Sequence, residues 1–422
     1  MKMGKLARDV AIIGAGISHF GQFPDKQNPD LWVEAFLDCV KNVDKGIDVK
    51  KDVDGGLYFG NFTADLFTGQ GHLGPMLADL VGLTPKGATR FEGACASSGL
   101  AFRQAVVAVA SGVADVVCVG GVEKMTALPT AGVTEALAAA ADVVYEARVG
   151  ATFPGLYANV ASAHFNKYGT TSEDLFRVAI KNHENGKLNP KAQMPMTITD
   201  IMNQKIEKVK KSGGEVPNWK TDFDFLKSSS NPVIAYPLRL FDCSLITDGA
   251  ACLFLAAASV AKKFTDTPIL VAGTGQGSSS LSLHNRDTFT SFIAAKTAAD
   301  QAYKMANAKP KDIKVAEVHD CFTIAELVAM EDLGFAQAGK AAEMVKNGET
   351  KRDGTIPINT DGGLKSKGHP VGATGAAQVV EIYKQLKGIA DKRQVKGNPE
   401  VGLAHNLGGS GGTCVVHVFK RK

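Results

Sequence analysis

The stretch Phe91-Glu92-Gly93-Ala94-Cys95-Ala96-Ser97-Ser98-Gly99-Leu100 places one cysteine among small residues, directly ahead of a strongly apolar segment. A cysteine in such surroundings at the start of a helix has backbone N–H groups exposed around it. Those donors and the helix dipole favour the thiolate, which is the form that attacks in covalent catalysis. The alternative is a small buried hydrophobe, which is what most cysteines of intracellular proteins are. Cys95 is therefore a candidate nucleophile whose role depends on the rest of the chain.

The residues that follow Cys95 predict a buried helix and then a covered strand. Residues 100–110 are apolar except at Arg103 and Gln104, and Gly112 ends the segment. A helix that is apolar on nearly every side is buried inside a large protein. Residues 115–121 are typical of a buried strand in a sheet covered on both faces.

The C-terminal part of the chain shows a similar plan. A glycine-rich turn at 362–370 leads into a helical pattern that Gly388 closes. A strand is predicted at 401–405, and a second glycine cluster follows at 408–412. The alternation of short strands and helices indicates an α/β fold. The repeated order suggests two related halves that face each other, with their reactive turns meeting between them.

Length and composition narrow the class of protein. With 422 residues the chain exceeds one ordinary domain, so two or three core-forming units are expected. Its 45% hydrophobic and 21% charged residues are those of a soluble globular protein. The net charge of +4 does not suggest a nucleic-acid binder, and it would not repel an anionic substrate.

The cysteines and the N-terminus indicate a cytoplasmic protein without a metal. The seven cysteines are an odd number and contain no C-x-x-C pair, which argues against a zinc site and a disulfide framework. A reducing compartment is the natural interpretation. Residues 10–16 predict a first buried strand rather than a signal peptide, and we expect no apolar run of membrane-spanning length.

His319 and Cys321 lie just past the carboxyl end of a predicted strand at 315–318. Open α/β sheets place ligand-facing groups at that position. The spacing of Thr323 and Glu326 predicts a capping box at the start of the next helix. The alternative interpretation, a satisfied histidine beside a buried cysteine, would prevail if the motif stood alone.

His369 stands in the sequence Gly368-His369-Pro370. Pro370 fixes the backbone and the glycine allows close approach, so an imidazole held there could take a proton from a thiol. A turn histidine with a single hydrogen bond explains the motif equally well.

The glycine cluster at 408–412 can present consecutive backbone N–H groups, as an oxyanion hole requires. The alternative is a tight turn before a last strand at 413–418. A phosphate loop is not indicated, because no Gly-Lys-Ser/Thr sequence follows.

Residues from about 125 to 240 break the regular alternation and are more polar, which suggests a lid inserted over one half. A basic stretch at 205–211 is interpreted as a solvated helix face in preference to a phosphate site.

Taken together and in this order, the motifs resemble those of the thiolase superfamily over nearly the whole chain. The resemblance is carried by Gly-Ala-Cys-Ala-Ser-Ser-Gly at 93–99, Thr-Asp-Gly-Ala-Ala at 247–251, His-Asp-Cys-Phe at 319–322, Gly-His-Pro-Val-Gly-Ala-Thr-Gly at 368–375 and the terminal glycine cluster. The His-Asp-Cys-Phe motif marks the sterol-carrier-protein-2 type, which archaeal and some bacterial thiolases share. Many other thiolases have Asn-Glu-Ala-Phe there and take their second thiol from a C-terminal Cys-x-Gly loop. Here Cys321 supplies it, because Cys414 lies beyond the glycine cluster.

This resemblance implies the thiolase fold, with two pseudo-repeated α/β/α halves stacked in five αβαβα layers. Residues 1–124 and 241–265 would form the N-terminal half, 125–240 the lid, and 266–422 the C-terminal half. In the family the lid shapes the acyl pocket and helps to bind coenzyme A. Residues from about 205 to 235 look like an addition relative to short archaeal-type members.

The resemblance also implies a role for each candidate residue. Cys95 resembles the acylated nucleophile, and His369 the base that activates it and contributes to an oxyanion hole. His319 resembles the second imidazole of the hole that holds the thioester enolate oxygen, and Cys321 the acid/base that moves the α-proton. The N–H of Cys95, with one from the turn, resembles the hole for the acyl-enzyme oxyanion; the turn candidates are Gly409, Ser410, Gly411 and Gly412.

The expected activity is that of a 3-oxoacyl-CoA thiolase or acetyl-CoA acetyltransferase, with coenzyme A as substrate and no prosthetic group. The resemblance also implies a homodimer or homotetramer, with a small zinc-ribbon/OB-fold protein as a candidate partner. One alternative is a condensing enzyme such as a 3-oxoacyl synthase or hydroxymethylglutaryl-CoA synthase, whose reaction would not need Cys321. Another is a non-catalytic acyl-CoA-binding scaffold.

Overall fold

Strands and helices alternate along residues 5–421, the part of the chain that this computed structural model describes. The strands are β1 Val10–Ile17, β2 Leu57–Gly60, β3 Ala88–Phe91, β4 Val116–Glu123, β5 Val233–Ala235, β6 Leu238–Arg239, β7 Gly249–Ala257, β8 Ile269–Ser278, β9 Val315–Glu317, β10 Val401–Gly408 and β11 Thr413–Arg421. The helices are α1 Asn28–Lys41, α2 Val49–Asp52, α3 Ala64–Phe67, α4 Leu73–Leu80, α5 Ser97–Ser111, α6 Thr130–Ala138, α7 Phe153–Tyr168, α8 Ser172–Gly186, α9 Ile198–Lys211, α10 Asp222–Lys227, α11 Ala258–Ala261, α12 Ile293–Ala306, α13 Thr323–Asp332, α14 Ala341–Lys346, α15 Gly363–Ser366 and α16 Thr374–Lys387.

The main sheet is mixed and has the strand order β3-β2-β4-β7-β1-β8-β11-β10-β9. Its two parts join only where β1 meets β8, through two residue pairs at Ala11 and Ile12. On its other edge β1 pairs with β7 along its whole length. The sheet therefore consists of an N-terminal part of five strands and a C-terminal part of four, which agrees with the two expected halves.

Helices α5 and α16 lie between the two parts of the sheet, and their apolar residues share one core with the inner faces of both. Helices α1 and α4 cover the outer face of the N-terminal part, and α7, α12 and α13 cover that of the C-terminal part. The result is the expected α/β architecture of five layers. The two central helices approach closely because both carry glycine at the crossing: a Cβ on Gly375 would lie 2.4 Å from the backbone nitrogen of Gly99.

The sequence correctly predicted that helix α5 is buried and that Gly112 ends it. It did not predict the length of the apolar stretch that contains this helix. The helical stretch Ala94–Ser111 is long and apolar enough to cross a membrane, contrary to the expectation that no such run exists. Of that stretch 67% is buried inside the fold, which makes it a core helix. Gly112 ends it in the left-handed conformation, with φ of 85°.

The residues between β4 and β7 contribute no strand to the main sheet. They contain α6 to α10 and the two-stranded sheet β5–β6. In α9 the side chains of Lys205, Lys208, Lys210 and Lys211 are exposed, which confirms the solvated helix face. The division of the chain at 125, 240 and 265 stays a prediction.

The predicted capping box at Thr323 is wrong. Helix α13 is preceded by Phe322 as its N-cap residue, without a side-chain cap. The Thr323 hydroxyl instead donates to Asp242 at 2.8 Å, and Glu326 is buried in an ion pair with Lys181. Both side chains bind residues far away in the sequence, so neither forms the local capping bond that the spacing of Thr323 and Glu326 predicted.

Candidate active site

Cys95 lies in a short 3-10 turn, Ala94–Ala96, that leads directly into α5. The residue before it, Ala94, has a positive φ of 52°, a conformation that costs free energy for any residue except glycine. Ser97 holds the turn in place: its Oγ donates to the Ala94 carbonyl at 2.6 Å and accepts from the Gly93 N–H at 3.1 Å. Ser97 was not predicted as a functional residue from the sequence, although a serine at the first helical position is a common local hydrogen-bonding residue.

The structure brings Cys95, His319 and His369 together. One side-chain atom from each lies within 4.8 Å of those from the other two. The rings of His319 and His369 meet nearly edge to face, with centroids 5.1 Å apart and planes at 79°. His319 lies two residues past β9, and His369 lies in the turn before α16, while Cys95 precedes α5. The three groups therefore come from both halves of the fold.

Cys321 lines the same cavity as Cys95 and His369. Its backbone carbonyl accepts from the N–H of Ser244 at 2.9 Å, which ties the segment to the strand-like residues before β7. Burial raises the pKa of the Cys321 thiol, and the nearby sulfur of Cys95 raises it further. The second thiol is thus protonated in the resting protein.

The hydrogen bonds of His369 define its tautomer. Thr374 Oγ1 donates to the Pro370 carbonyl at 3.0 Å, so its single proton is used there. His369 Nδ1 lies 2.7 Å from the same oxygen and must donate to it. Nε2 then carries a free lone pair. Burial lowers the pKa of His369 to about 3, and the charges of Lys367 and Lys365 act in the same direction, so the ring is neutral.

His319 has the opposite arrangement. Asn406 Nδ2 donates to the Cys95 carbonyl at 2.9 Å and faces His319 Nδ1 at 3.4 Å. An amide N–H beside Nδ1 makes that nitrogen the acceptor, which leaves the proton on Nε2. Among the residues that the structure describes, His319 Nε2 has no hydrogen-bond partner although it is buried. Burial and the neighbouring rings of His369 and His405 hold the pKa of His319 well below its usual range.

Asn406 was missed in the sequence analysis. It stands one residue after the predicted strand, between the buried His405 and Leu407. A buried asparagine next to a glycine cluster is the signal that could have found it, because a buried amide requires partners.

The ionisation state of the Cys95 thiol differs from the thiolate that the sequence motif favoured. Burial raises the pKa of its thiol to about 12, and the charge of Glu123 adds to the effect. The amides of Gly409 and of Cys95 itself act in the opposite direction, as expected, but they do not offset burial. Cys95 is therefore a neutral thiol that needs a base at the moment of attack.

The turn after β10 supplies one clear donor to the site. The Gly409 amide faces the sulfur of Cys95, whereas the Gly411 N–H is engaged with the Gly408 carbonyl at 3.0 Å. Gly411 is therefore not a free donor, contrary to its place among the candidates. Arg286 holds Ser410 from outside through bonds to its carbonyl and its Oγ. For Ser410 and Gly412 the role of donor stays a prediction.

A buried polar network fixes the segment that carries His319 and Cys321. Asp320 accepts from the Leu364 N–H and from Asn182 Nδ2, both at 2.8 Å. Asn182 also donates to Glu326, which pairs with Lys181 at 2.9 Å. Burial raises the pKa of Asp320 to about 7, and the charge of Glu326 raises it further. Asn182 and Lys181 lie on α8, so this helix fixes the segment that carries His319 and Cys321.

The cavity above these groups has a volume of about 360 Å³. Its walls are mostly apolar and come from both the residues before β7 and the C-terminal part of the chain, with Phe62, Met125, Val133, Leu137, Phe153, Leu240, Phe322 and Val371 among them. It suits an apolar acyl group attached to Cys95. A thiolate and two imidazoles are also ligands that Zn²⁺ accepts, so the triad of Cys95, His319 and His369 could hold a soft cation.

Two models of known protein families match the chain. The model of the thiolase N-terminal domain matches residues 10–259, and the model described as thiolase C-terminal domain-like matches residues 275–421. Together they cover both halves of the fold and every candidate residue described above. The chain belongs to the thiolase family.

Similar proteins narrow the kind of thiolase. An acetyl-CoA acetyltransferase of Methanothermobacter thermautotrophicus is 45% identical over 98% of this chain and 100% of that protein. The benzoylsuccinyl-CoA thiolase subunit BbsB of Thauera aromatica is 32% identical over 96% of both chains. Sterol carrier protein 2 of Bos taurus is 31% identical over 98% of this chain and 73% of its own length. This chain therefore resembles the subgroup that its His-Asp-Cys-Phe motif indicated.

Solved structures show the same fold. A structure described as an Ltp2-ChsH2(DUF35) aldolase has a TM-score of 0.76 at 23% identity, covering 99% of both chains. An acetyl-CoA acetyltransferase of Syntrophomonas wolfei has a TM-score of 0.70 at 18% identity, covering 98% of this chain and 100% of that one.

Proposed function

We propose that this thiolase cleaves 3-oxoacyl-CoA thioesters with coenzyme A, through an acyl group on Cys95, and catalyses the reverse condensation. One observation carries the proposal: the thiols of Cys95 and Cys321 and the imidazole of His369 line one apolar cavity, and the buried imidazole of His319 lies against Cys95 and His369. Relatives at 44–45% identity are acetyl-CoA acetyltransferases, which supports the same reaction class here.

The first half-reaction breaks the bond between C2 and C3 of the substrate. Nε2 of His369 takes the proton of Cys95 as the sulfur attacks the C3 ketone. The C2–C3 electron pair stays with the departing fragment as the enolate of acetyl-CoA. The Nε2–H of His319 donates to that enolate oxygen, and Cys321 gives its S–H proton to the α-carbon. Acid/base help of this kind contributes about 10²–10⁴-fold.

The second half-reaction transfers the acyl group. The Cys321 thiolate takes the proton of free coenzyme A, whose sulfur attacks the carbonyl of acyl-Cys95. The N–H groups of Cys95 and Gly409 bind the resulting oxyanion, and each such donor is worth roughly 3 kcal/mol. Cys95 then leaves and recovers its proton from the His369 imidazolium, which restores the resting state.

The size of the acyl group follows from the cavity. The archaeal relatives are acetyl-CoA acetyltransferases, but a cavity of about 360 Å³ leaves room for an acyl chain larger than acetyl. The benzoylsuccinyl-CoA thiolase among the relatives supports this extension. The enzyme needs no resident metal or organic cofactor for these steps, and coenzyme A is a substrate.

The assembly and location of the protein belong to the same proposal. The fold is shared with a thiolase-like protein whose structure includes a DUF35 protein, which supports a small partner of that kind. A homodimeric or homotetrameric core and a cytoplasmic location complete the proposal.

A panel of thioesters tests the proposed function. Purified protein is incubated with coenzyme A and each of acetoacetyl-CoA, medium-chain, branched and aromatic 3-oxoacyl-CoA, and loss of the 3-oxoacyl absorbance is followed. We expect thiolysis of at least one thioester, and Cys95→Ala to abolish it. Lack of turnover across the whole panel, with and without a co-purified partner, would contradict the proposal and favour the scaffold alternative.

A further inference from the structure

The turn at residues 408–412 consists almost entirely of glycine, and the proposed function requires one of its N–H groups to keep a fixed direction. Only Ser410 interrupts the glycines. Gly409 and Gly411 adopt positive φ angles of 59° and 105°. A glycine backbone rotates more freely than that of any other residue, so this turn does not fix its own peptide planes. Contacts from outside must hold the Gly409 N–H towards Cys95.

Two peptide planes connect the Gly409 N–H to Arg286. Both peptides are trans, so the carbonyl of one residue and the N–H of the next point in opposite directions. The Gly408 carbonyl accepts from the Gly411 N–H at 3.0 Å, and the Gly409 N–H therefore points away from that bond, towards the cavity. The Gly411 N–H shares its peptide with the Ser410 carbonyl, which accepts from Arg286 Nη1. The orientation of the first plane thus depends on the second.

The turn packs directly against the loop that carries the nucleophile. A Cβ on Gly408 would lie 2.2 Å from the carbonyl oxygen of Gly93, two residues before Cys95. Gly409 and Cys95 line the same cavity. A rotation of the Gly408–Gly409 peptide would therefore move its N–H group relative to the carbonyl of an acyl group on Cys95.

The guanidinium of Arg286 bridges the turn and a neighbouring segment. Arg286 follows the 3-10 turn Leu283–Asn285 and is half-buried. Its Nε and Nη2 donate to the Ser280 carbonyl at 3.0 and 2.8 Å, and Nη2 also donates to the Leu281 carbonyl at 3.0 Å. The same Nη2 reaches the Oγ of Ser410 at 3.2 Å, beside the bond from Nη1 to the Ser410 carbonyl. A planar fork of donors can join two segments in this way, whereas an ammonium group is a single point charge.

The charge of Arg286 strengthens its hold on the turn. All five of its hydrogen bonds go to carbonyl or hydroxyl oxygens. Hydrogen bonds from a charged donor are about twice as strong as neutral ones. A carbonyl that is bound to a cation also polarises the N–H of the same peptide, which strengthens the next bond in the chain. The bond from Gly411 to Gly408 is therefore stabilised as well.

We propose that Arg286 is a positioning residue: by holding the Ser410 carbonyl, it orients the Gly409 N–H for the oxyanion of acyl-Cys95. Arg286 is not among the residues that line the catalytic cavity, so it acts through the turn. The proposal rests on the proposed function, since this oxyanion forms only when Cys95 carries an acyl group.

The test compares Arg286→Met and Arg286→Lys with Arg8→Met. Methionine keeps an unbranched side chain but has no donor, and lysine keeps the charge but cannot bridge the two segments. Arg8 provides the control, because its guanidinium also donates to two backbone carbonyls, those of Val109 and Ala114, near the far end of α5. Thermal melting compares the loss of stability in the two Met variants.

Transfer of the acyl group from Cys95 to coenzyme A measures the oxyanion hole. The acetyl-enzyme is prepared with acetyl-CoA, separated from the excess and mixed with increasing concentrations of coenzyme A, and its loss is followed by mass spectrometry of the quenched protein. We expect the maximal rate to fall about 10²-fold in Arg286→Met, the lower end of the cost of removing one oxyanion donor. The concentration of coenzyme A that gives half of this rate should not change. Arg286→Lys should fall between Arg286→Met and wild type, and Arg8→Met should behave as wild type.

An infrared spectrum of the same acetyl-enzyme reports on the hydrogen bond itself. The carbonyl carbon of the acetyl group is isotope-labelled, so that its stretching band can be separated from the amide bands. A stronger hydrogen bond to the thioester oxygen lowers the wavenumber of this band. We expect the band to move to higher wavenumber in Arg286→Met, to move less in Arg286→Lys and to stay in place in Arg8→Met. A loss of stability alone would not move it.

The outcomes separate this proposal from the proposed function. A wild-type rate and band in Arg286→Met would overturn the role of Arg286 and leave the proposed function intact, and so would slower transfer with an unmoved band. A higher half-saturating concentration with an unchanged maximal rate would also overturn it, because Arg286 would then bind coenzyme A itself. Failure of the wild-type protein to form or transfer an acyl group would instead contradict the proposed function. If Arg286→Met does not fold, Arg286→Lys decides by the same two readouts, and wild-type values in that variant overturn the proposal.

Discussion

The rings of His319 and His369 meet edge to face at 5.1 Å, and their hydrogen bonds place the proton on different nitrogens. His369 offers a lone pair at Nε2, whereas His319 offers an N–H there. The two histidines have similar surroundings but present different groups at Nε2, because their Nδ1 atoms have different partners. Nδ1 of His369 faces a hydroxyl that can only accept, whereas Nδ1 of His319 faces an amide N–H. Their low pKa values keep both rings neutral, which this division requires.

Asn406 should control the tautomer of His319. Asn406→Ala removes the donor to His319 Nδ1 and to the Cys95 carbonyl, so the proton is no longer held on Nε2. We expect kcat for thiolysis to fall about 10- to 100-fold, the cost of one buried hydrogen-bond donor, with little change in KM. Steady-state kinetics check this, and Asn42→Ala, which removes a surface amide from α1's end, is the control. A larger change in KM than in kcat would count against the assignment.

Removal of the second thiol should separate acylation of Cys95 from complete turnover. In Cys321→Ala, Cys95 keeps its base His369 and should still become acylated by acetyl-CoA. Proton transfer to the α-carbon has no donor, so thiolysis should fall by about 10²–10⁴-fold. Mass spectrometry of the intact protein detects the acyl group, and a coupled assay measures turnover. Full turnover in this variant would remove the case for Cys321 as the acid/base.

The reactivity of Cys95 should increase with pH without a low-pH plateau. Because its thiol has a pKa raised to about 12, the thiolate fraction grows about tenfold per pH unit below that value. We therefore expect alkylation by iodoacetamide to accelerate by that factor from pH 6 to pH 9. Peptide mass spectrometry follows Cys95, with Cys243, whose pKa is raised to about 11, as an internal reference. A plateau near neutral pH would instead reveal a thiolate–imidazolium pair.

Zinc should inhibit the free enzyme by binding the catalytic triad. The thiol of Cys95 and the two neutral imidazoles lie within 4.8 Å of one another, and Zn²⁺ accepts this ligand set. Mg²⁺ prefers oxygen ligands and should have no effect. Inhibition should be reversed by a chelator and should be weaker once Cys95 carries an acyl group, because a thioester sulfur is a poor ligand. Equal inhibition of free and acylated enzyme would place the metal elsewhere.

The sequence predicts those candidate residues that lie within recognisable local motifs. Cys95, His319 and His369 each stand beside a strand end or a glycine turn, so their motifs point to them directly. Asn406 has only a weak signal of this kind, its place beside the glycine cluster, because it acquires its role from a contact with Cys95, 311 positions away.

Two local inferences failed for the same physical reason. The Thr323 hydroxyl binds Asp242 instead of capping α13. Burial of Cys95 outweighs the backbone amides that favour its thiolate. Both outcomes depend on what packs against the segment, which short-range patterns do not contain. Helix α5 shows the converse: its apolar character alone fits a membrane span, and only the two sheets around it define it as a core element.

The bond from Asn406 to the Cys95 carbonyl has a consequence for biosynthesis. Cys95 is synthesised 311 residues before Asn406, whose amide binds its carbonyl, and still earlier than Gly409, whose amide faces its sulfur. A nascent chain on the ribosome therefore carries Cys95 without these two partners until residues 406–409 have been made. The surroundings of the thiol are complete only after the hairpin of β10 and β11 has docked beside it.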